Sequence, residues 1–283
     1  RWIGIKLWCG GWDSNPRRPT PPDLDSTFLQ VLAHYAKTVN IEDFHSFLKF
    51  RGTSETTIRD YLAVLRKLRK EKLVNTTKYT VITCRLLIQF LYYFHGVDLR
   101  EYFSFLKVPK SGIDLFVPAE EQVLSTLEKT KEREDIYMIY LVLLASGARL
   151  SEAVIFLRSL NKQKFIEIDS RAVKYPFPLL RGRKKVFYIY LPKVIAEFLE
   201  RIELTRDIVS SYAKRHNLVK PKYIRKFVAQ QMFKLGIDPV VIDFIQGRVA
   251  RSVLARHYLN LSYLADKQYS KYAKWLMNVR LSL

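Results

Sequence analysis

The chain has 283 residues, of which 48% are hydrophobic and 27% are charged. These proportions exclude a wholly disordered chain and allow one large domain or two smaller ones. The 48 Lys and Arg residues outnumber the 27 Asp and Glu residues, which gives a formal net charge of +21 and favours a polyanionic partner. Two cysteines, Cys9 and Cys84, support neither a disulfide framework nor a cysteine-based zinc site.

The sequence lacks the features of a membrane or secreted protein. No apolar run approaches the roughly twenty residues that a membrane-spanning helix needs. The stretch Arg1-Trp-Ile-Gly-Ile-Lys is too interrupted by polar residues for a signal peptide. We therefore expect no membrane partner and a cytoplasmic protein, associated with the nucleoid if its polyanion is DNA.

The first third of the chain is predicted to be a flexible tail followed by helices. Residues 1–24 contain a Gly10-Gly11 pair and four prolines, which disfavour a helix. Between residues 25 and 108, apolar residues recur at helical spacing in four stretches, and the fourth is apolar almost all round, which predicts burial. The third stretch ends in a group of cations: Lys67, Arg69, Lys70 and Lys72. We predict a helical domain over 25–108 with a basic surface.

The pattern breaks over residues 109–117, which we predict to be a linker to a second domain at 118–283. Helices are expected at 119–130 and 134–145, and strands at 164–169, 173–180 and 186–191. Pro176 and Pro178 predict that the second strand is an edge strand or an irregular one. The expected fold class is therefore mainly α with a small antiparallel β-sheet.

The second domain combines one tyrosine with several cations. Tyr258 follows Arg248 by ten residues and Arg225 by thirty-three, and Arg149 lies farther upstream. Attack of a phenolate on a phosphodiester builds up negative charge, which fixed cations neutralise. The pattern indicates an enzyme that cuts nucleic acid with a tyrosine nucleophile.

The segment 222–247 also permits another interpretation. Lys222 and Arg225 lie on one face of a predicted helix that ends near Gly236, and a second helix follows Asp238. A helix, a turn and a helix form the outline of a helix-turn-helix motif. From this segment alone, a non-catalytic DNA-binding regulator is as well supported as an enzyme.

Residues 119–260 resemble the tyrosine recombinase, or phage integrase, superfamily. The family's Gly-x-Arg-x-Ser-Glu turn is matched by Gly147-Ala-Arg149-Leu-Ser151-Glu152, and its His-x-x-Arg box by Lys222-Tyr-Ile-Arg225, with lysine in place of histidine. Gly247-Arg248 stands where the family has Gly-His or Gly-Trp, and Tyr258 stands at the position of the nucleophile. Lysine and arginine at the two usual histidine positions look like the variant found in integrases of archaeal fuselloviruses and related plasmids.

The resemblance implies a role for each of these residues. Arg149, Arg225 and Arg248 would hold the non-bridging oxygens of the scissile phosphate. Lys222 would donate a hydrogen bond to phosphate. Tyr258 would form a 3′-phosphotyrosyl bond and release a 5′-hydroxyl, with no metal, ATP or other cofactor.

The resemblance also implies a hairpin lysine that protonates the leaving 5′ oxygen. We choose Lys184, in the turn Arg181-Gly-Arg-Lys-Lys185, while Lys185, Lys174 and Arg181 stay open because the register of the hairpin is not fixed by the sequence.

The implied architecture has two domains and the implied partner is double-stranded DNA. A helical core-binding domain would clamp the DNA, and the catalytic domain would end in a helical tail that docks on a neighbouring protomer or on its own body. The active assembly would be a homo-tetramer on DNA, and a monomer is one state open to the chain in solution. A type IB topoisomerase shares the cleavage chemistry and is the nearest alternative.

One short run predicts the DNA target. Trp12-Asp13-Ser14-Asn15-Pro16-Arg17 permits the codons TGG GAC TCG AAC CCG CG, whose complementary strand contains GGTTCGAGTCC, the pattern of a tRNA T-arm. Integrases of the archaeal virus type carry their attachment site inside the integrase gene. We therefore predict that the codons for residues near 10–18 are the attachment site and that the target is a tRNA gene. The alternative is an ordinary proline-rich tail whose codons match by chance.

Overall fold

The computed structural model describes residues 26–72, 77–108, 112, 114–181, 184–248 and 260–279. The predicted tail, residues 1–24, lies outside them. The chain divides into two compact units with the boundary between Asp114 and Leu115. This boundary falls inside the stretch that the sequence marks as a linker.

The described residues of the first unit form a short 3₁₀ helix (Arg100–Ser104) and four α-helices: α1 (Ser26–Thr38), α2 (Ile41–Phe50), α3 (Glu55–Arg69) and α4 (Lys78–His95). Each of the last three begins at a polar cap, because the side chains of Asn40, Ser54 and Thr77 accept a hydrogen bond from a free backbone N–H of the first turn. The apolar faces of all four helices meet in one core, which includes Leu32, Leu48, Ile58, Leu65 and Leu87.

Two expectations about this unit need correction. Arg69 does not belong to the basic surface, because its guanidinium donates to the carbonyl oxygens of Ala36 and Val39 and so satisfies the carboxyl end of α1. Helix α4 is buried only as far as Leu91, while Tyr93 and Phe94 near its end are exposed.

The second unit packs around one buried helix. It comprises α5 (Glu120–Thr130), α6 (Glu134–Ser146), α7 (Leu150–Arg158), α8 (Lys193–Phe198), α9 (Arg206–Arg215), α10 (Pro221–Lys234), α11 (Pro239–Ile245) and α12 (Leu261–Asn278), with the strands β1 (Ile166–Glu167), β2 (Ala172–Arg181) and β3 (Lys184–Pro192). Every residue of α6 from Ile136 to Ser146 is buried. Among the described residues no single helix is long and apolar enough to cross a bilayer, and only the pair α6 and α7, bent by 118°, meets that criterion jointly.

The three strands form an antiparallel sheet in the order β1-β2-β3, which confirms the predicted fold class. The strand with the two prolines is the central one, so the prediction of an edge strand is wrong, while the prediction of an irregular strand is correct. The register of β2 on β3 shifts between Pro176 and Leu179. Strand β1 pairs only with Val173 and Lys174. The prolines are therefore tolerated because they lie beyond the part of β2 that has a neighbour on both sides.

Helix α12 packs on the body of its own unit. Tyr269 and Tyr272 are fully buried, and their hydroxyl groups donate to the carbonyl oxygens of Ala145 and Leu144, 2.9 Å and 2.7 Å away. Both acceptors lie in the last turn of α6 and gain donors there that the helix itself does not supply. Of the two dockings left open for the tail, the structure shows the one on its own body.

Candidate active site

The first predicted arginine lies at a sharp turn. Helix α6 ends at Gly147, whose φ of 62° is left-handed, and a Cβ at this position would lie 2.5 Å from Nε2 of Gln246. Arg149 then caps α7, with its backbone N–H donating to Glu152 Oε2 over 2.8 Å and its Nη1 donating to Oε1 over 2.7 Å. Only 4% of the Glu152 side chain is exposed. A buried carboxylate therefore fixes the orientation of the Arg149 guanidinium.

The second arginine connects two turns. Arg225 projects from α10 with 11% of its side chain exposed, and its Nη1 donates to Gly147 O over 2.8 Å while Nη2 donates to Gln246 O over 2.6 Å. Its Nη1 also lies 3.9 Å from Glu152. One carboxylate thus supports both Arg149 and Arg225, and the turn at Gly147 is joined to the turn that precedes Arg248.

The third arginine follows directly from that second turn. Arg248 Nη1 lies 3.0 Å from Asp243 Oδ1, and the side chain is 44% exposed. Its neighbour Gly247, with a φ of 63°, presents its carbonyl oxygen 3.4 Å from Arg149 Nη1. Three guanidinium groups from separate parts of the chain therefore converge, and they face two carboxylates, so an excess of positive charge remains.

The electrostatics of Arg225 show how close these charges are. Burial comes first, followed by the charges of Arg149 and Arg248, and together they lower the pKa of the Arg225 guanidinium to about 9. Glu152 and Asp243 oppose that shift. The guanidinium still carries its charge at neutral pH. An anion bound among the three arginines would relieve their mutual repulsion, which makes this turn a favourable place for a phosphate.

One supporting residue was missed by sequence reasoning. Gln246 is 1% exposed, and its Nε2 donates to the carbonyl oxygen of Arg225 over 3.0 Å, so the two residues exchange hydrogen bonds. A lone glutamine before Gly247 carries no pattern that predicts this contact. Glu152 stood in the motif, but its role in holding two arginines was also not predicted.

The β2–β3 hairpin lies against the same turn. A Cβ on Gly247 would lie 2.3 Å from Val186 Cγ2 and 3.3 Å from the carbonyl oxygen of Lys185. The rings of Phe187 and Phe244 stack with centroids 5.9 Å apart, next to this contact. The strand that begins at Lys184 is therefore packed directly onto the turn that carries Arg248.

The hairpin cations differ in their surroundings. Lys184 pairs with Arg181 through the backbone where the two strands meet, and the side chains of both lie outside the described part of the chain. Lys185 pairs with Leu180 and is exposed. Lys174 is 12% exposed and forms an ion pair with Asp266 of α12, with Nζ and Oδ2 2.5 Å apart. Lys174 is thus occupied by a carboxylate far along the chain.

The last two predicted residues are Lys222 and Tyr258. Lys222 is exposed in the first turn of α10, with its Nζ 4.3 Å from the centroid of the Tyr223 ring, and it lies one turn before Arg225. Tyr258 lies within residues 249–259, outside the described residues. Among the residues that the structure does describe, no group of three or more His, Cys, Asp or Glu side chains could hold a metal ion.

A family model described as archaeal phage integrase matches residues 115–275. That match spans more than half of the chain, and the chain belongs to this family. The resemblance to tyrosine recombinases is confirmed, and site-specific DNA recombination is the activity of this class of protein. No curated protein sequence shows a significant match to the chain.

Several solved structures of recombinases are similar to this chain at low sequence identity. XerA recombinase is 15% identical, with 82% of this chain and 97% of that chain covered and a TM-score of 0.37. Lambda integrase (residues 75–356) bound to DNA is 13% identical, with 80% and 95% covered and a TM-score of 0.49. XerH site-specific recombinase bound to its difH substrate is 12% identical, with 94% and 99% covered and a TM-score of 0.43.

Proposed function

We propose that this integrase cleaves and rejoins duplex DNA through a 3′-phosphotyrosyl intermediate formed by Tyr258. The observation that carries the proposal is the convergence of Arg149, Arg225 and Arg248 around the Gly147 and Gly247 turns. Fixed cations with an excess positive charge stabilise the charge that develops on a phosphoryl group in the transition state. They do so without moving, because Glu152 and backbone carbonyls already hold Arg149 and Arg225 in place.

The proposed step conserves the energy of the broken bond. The Tyr258 hydroxyl gives up its proton to solvent, its oxygen bonds to phosphorus, and the bond from phosphorus to the 5′ oxygen breaks. The proton that the leaving oxygen needs comes from a nearby acid, and rejoining reverses each transfer with a 5′-hydroxyl as the nucleophile. The new ester stores the bond energy, so the step needs no ATP, metal or other cofactor.

We propose Lys184 as the acid. Lys184 stands two positions before Val186, which is packed onto Gly247, so the start of β3 lies beside the arginine turn. Lys185 is the nearest alternative, and Arg181 on the opposite strand is another. Lys174 is disfavoured because its ammonium is already bound to Asp266.

Lys222 is proposed as a hydrogen-bond donor to the phosphate. It lies in the first turn of α10, where free backbone N–H groups and the helix dipole both favour an anion. An ammonium group offers three donors and no acceptor, so a hydrogen bond to a phosphate oxygen suits its chemistry. This role differs from that of the histidine in the family's usual box.

The first unit is proposed to clamp the DNA through one face of α3. Arg59, Ala63, Arg66 and Lys70 are exposed and recur every three or four residues, so they form one stripe along the helix. Arg59 and Lys70 are eleven positions apart, or about 16 Å along the axis, enough to reach both walls of a major groove about 12 Å wide. The small side chain of Ala63 lets the helix backbone approach the groove.

Two alternative functions, a helix-turn-helix regulator and a type IB topoisomerase, are less compatible with these features. A helix-turn-helix regulator would read DNA through polar side chains of α11, but Asp243 is the only polar side chain of this helix (Pro239–Ile245) and it is paired with Arg248. A type IB topoisomerase would relax supercoils as a monomer. We propose instead that four copies exchange strands between two duplexes.

A suicide-substrate experiment tests the proposed function. A nicked duplex that carries the target site is incubated with wild-type protein or with Tyr258→Phe, and covalent complexes are resolved under denaturing conditions. We expect an adduct with wild-type protein only, with DNA affinity of the variant within about threefold because only the attacking oxygen is removed. An adduct with Tyr258→Phe would show that another residue is the nucleophile, and joined strands from two duplexes would exclude a simple topoisomerase.

The proposed target is a tRNA gene whose T-arm is encoded by the codons for residues 10–18. The gene sequence tests this first, because codons that do not spell GGTTCGAGTCC or a close variant on the complementary strand end the hypothesis. If they do spell it, a duplex of that tRNA segment should recombine with the integrase gene's copy. If the enzyme is active but leaves the two duplexes unjoined, that result would also contradict the hypothesis of a tRNA-gene target.

A further inference from the structure

A part-buried polar cluster lies outside the arginine site. Lys174 on β2 and Tyr190 on β3 stand directly opposite each other, and both reach Asp266 on α12. The Lys174 ammonium donates to Asp266 Oδ2 over 2.5 Å, and the Tyr190 hydroxyl donates to Oδ1 over 3.1 Å. One carboxylate therefore uses both oxygens to join the two strands of the hairpin to the last helix.

Ser262 extends the cluster to the first turn of α12. Its Oγ lies 3.4 Å from Lys174 Nζ, one turn before Asp266. The Lys174 ammonium also lies 4.8 Å from the centroid of the Tyr188 ring. The start of α12 is thus held at two positions by one lysine of β2.

If the cluster served only to stabilise the fold, the free energy needed to remove its charges from water would offset much of its benefit. Side-chain exposure is 12% for Lys174 and 27% for Asp266, and Tyr190 is 1% exposed. Removing two charges from water offsets much of the attraction between them, and apolar residues of similar volume often stabilise such a position equally well. An ion pair with two further hydrogen bonds does fix the direction and the distance between the elements that it joins, which apolar packing does not.

Its position in the chain suggests what is being fixed. Helix α12 begins three residues after Tyr258, and Lys174 and Tyr190 belong to the hairpin whose strand β3 begins at Lys184. Resting on the function proposed above, we propose that Lys174, Tyr190 and Asp266 form a positioning cluster for DNA cleavage. It holds the start of α12, which follows Tyr258 by three residues in the sequence, at one place on the hairpin. Lys174 is then a positioning residue and not the acid.

The test separates positioning from stability with an apolar replacement. Lys174→Met alone leaves a part-buried carboxylate without its ammonium, and we expect it to lower both the melting temperature and the cleavage rate. Lys174→Met combined with Asp266→Leu should restore the melting temperature, while the single-turnover cleavage rate stays at least tenfold below wild type and DNA affinity is unchanged. Lys193→Met is the control, because Lys193 follows β3 directly and its ion pair, with Glu167 of β1, involves no residue of α12. It should cleave at the wild-type rate.

A double variant that is as stable as wild type and cleaves at the wild-type rate would overturn the proposal. If the double variant unfolds, Asp266→Asn makes the same comparison at a temperature where it and wild type are both folded. A tenfold slower cleavage with unchanged affinity then supports positioning, and wild-type cleavage refutes it. Wild-type protein and Tyr258→Phe are run beside these variants, so an absence of adduct in wild type would count against the proposed function and not against the cluster.

Discussion

The hydroxyl group of Tyr269 donates a hydrogen bond to the carbonyl oxygen of Ala145 over 2.9 Å, which ties α12 to the end of α6 two residues before the Gly147 turn. Tyr272 makes the same kind of bond to Leu144. The end of α6 therefore anchors both the Gly147 turn, which leads to Arg149, and the last helix, although α6 and α12 are more than a hundred residues apart in the sequence.

This pair makes stability sensitive to alkaline pH. Burial raises the pKa of both phenols well above the ordinary value of 10. Since the folded pKa is the higher one, the stabilising effect is complete below about pH 10 and is lost as the pH rises further. Urea unfolding of wild type should show a decline above pH 10 that is smaller in Tyr269→Phe/Tyr272→Phe. That variant should also lose about 1 kcal/mol per hydrogen bond at pH 8. Tyr263→Phe, at an exposed position, should match wild type.

Replacing Gly247 by alanine should strain the contact between the hairpin and the arginine turn. The new Cβ would lie 2.3 Å from Val186 Cγ2, and the φ of 63° disfavours any side chain. We expect a loss of about 1–3 kcal/mol in unfolding free energy, together with slower cleavage. Gly236→Ala is the control, since Gly236 has a similar φ of 71° with no atom within 4 Å of its Cβ position. Adding Val186→Ala to Gly247→Ala should recover the part due to the clash, and no recovery would contradict this account.

The variants Arg225→Ala and Arg248→Ala should lose a similar amount of cleavage activity but differ in their stability. Arg225→Ala and Arg248→Ala should each slow cleavage by about a hundredfold or more. Arg225→Ala also leaves the carbonyl oxygens of Gly147 and Gln246 without their donor, which costs about 1–3 kcal/mol for each buried group. Arg248 is 44% exposed, and its removal should change stability by less than about 0.5 kcal/mol. Single-turnover cleavage and urea unfolding measure the two effects, and near-normal cleavage by either variant would remove that arginine from the site.

Lys222→His tests whether Lys222 acts as a cationic donor. The variant should retain measurable cleavage, and its rate should fall as the pH rises through about 6.5, where histidine loses its charge. Wild-type protein should show no such fall in that range. The measurement is single-turnover cleavage between pH 5.5 and 8.5, and full activity with a flat profile in the variant would argue against a charged donor.

The stripe on α3 should govern the salt dependence of DNA binding. Replacing Arg59, Arg66 and Lys70 by alanine should weaken binding and reduce the slope of log K against log salt by about 0.9 for each phosphate contact that is lost. Arg100→Ala is the matched control in the same unit, because Arg100 is already paired with Asp98 at 2.7 Å. An unchanged slope in the triple variant would place the DNA on another face.

The sequence singles out Arg149, Arg225 and Arg248 more readily than the residues that support them, because their residue types and spacing match the motifs of the family. The structure brings these three arginines together, and the role of Tyr258 stays a prediction. Gln246 supports them through a hydrogen bond between side chain and backbone, which leaves no spacing to detect.

The hairpin was harder to predict because its pairing is decided by neighbours in space. Lys174 remained a candidate acid since Asp266, which occupies it, lies ninety-two residues away. The central place of β2 likewise depends on pairing: the strand predicted at 164–169 is shortened to β1, and no pattern in the sequence indicates that it pairs with Val173 and Lys174.

The two prolines of β2 have a consequence for contacts between molecules. Among the described residues, β2 has no strand partner on the side of β1 beyond Lys174, and such a free stretch of backbone can pair with a strand from another molecule. Pro176 and Pro178 have no N–H to offer, so a foreign strand cannot complete its ladder there. The two prolines therefore keep this free edge of β2 from pairing with the same edge of a second copy of the chain.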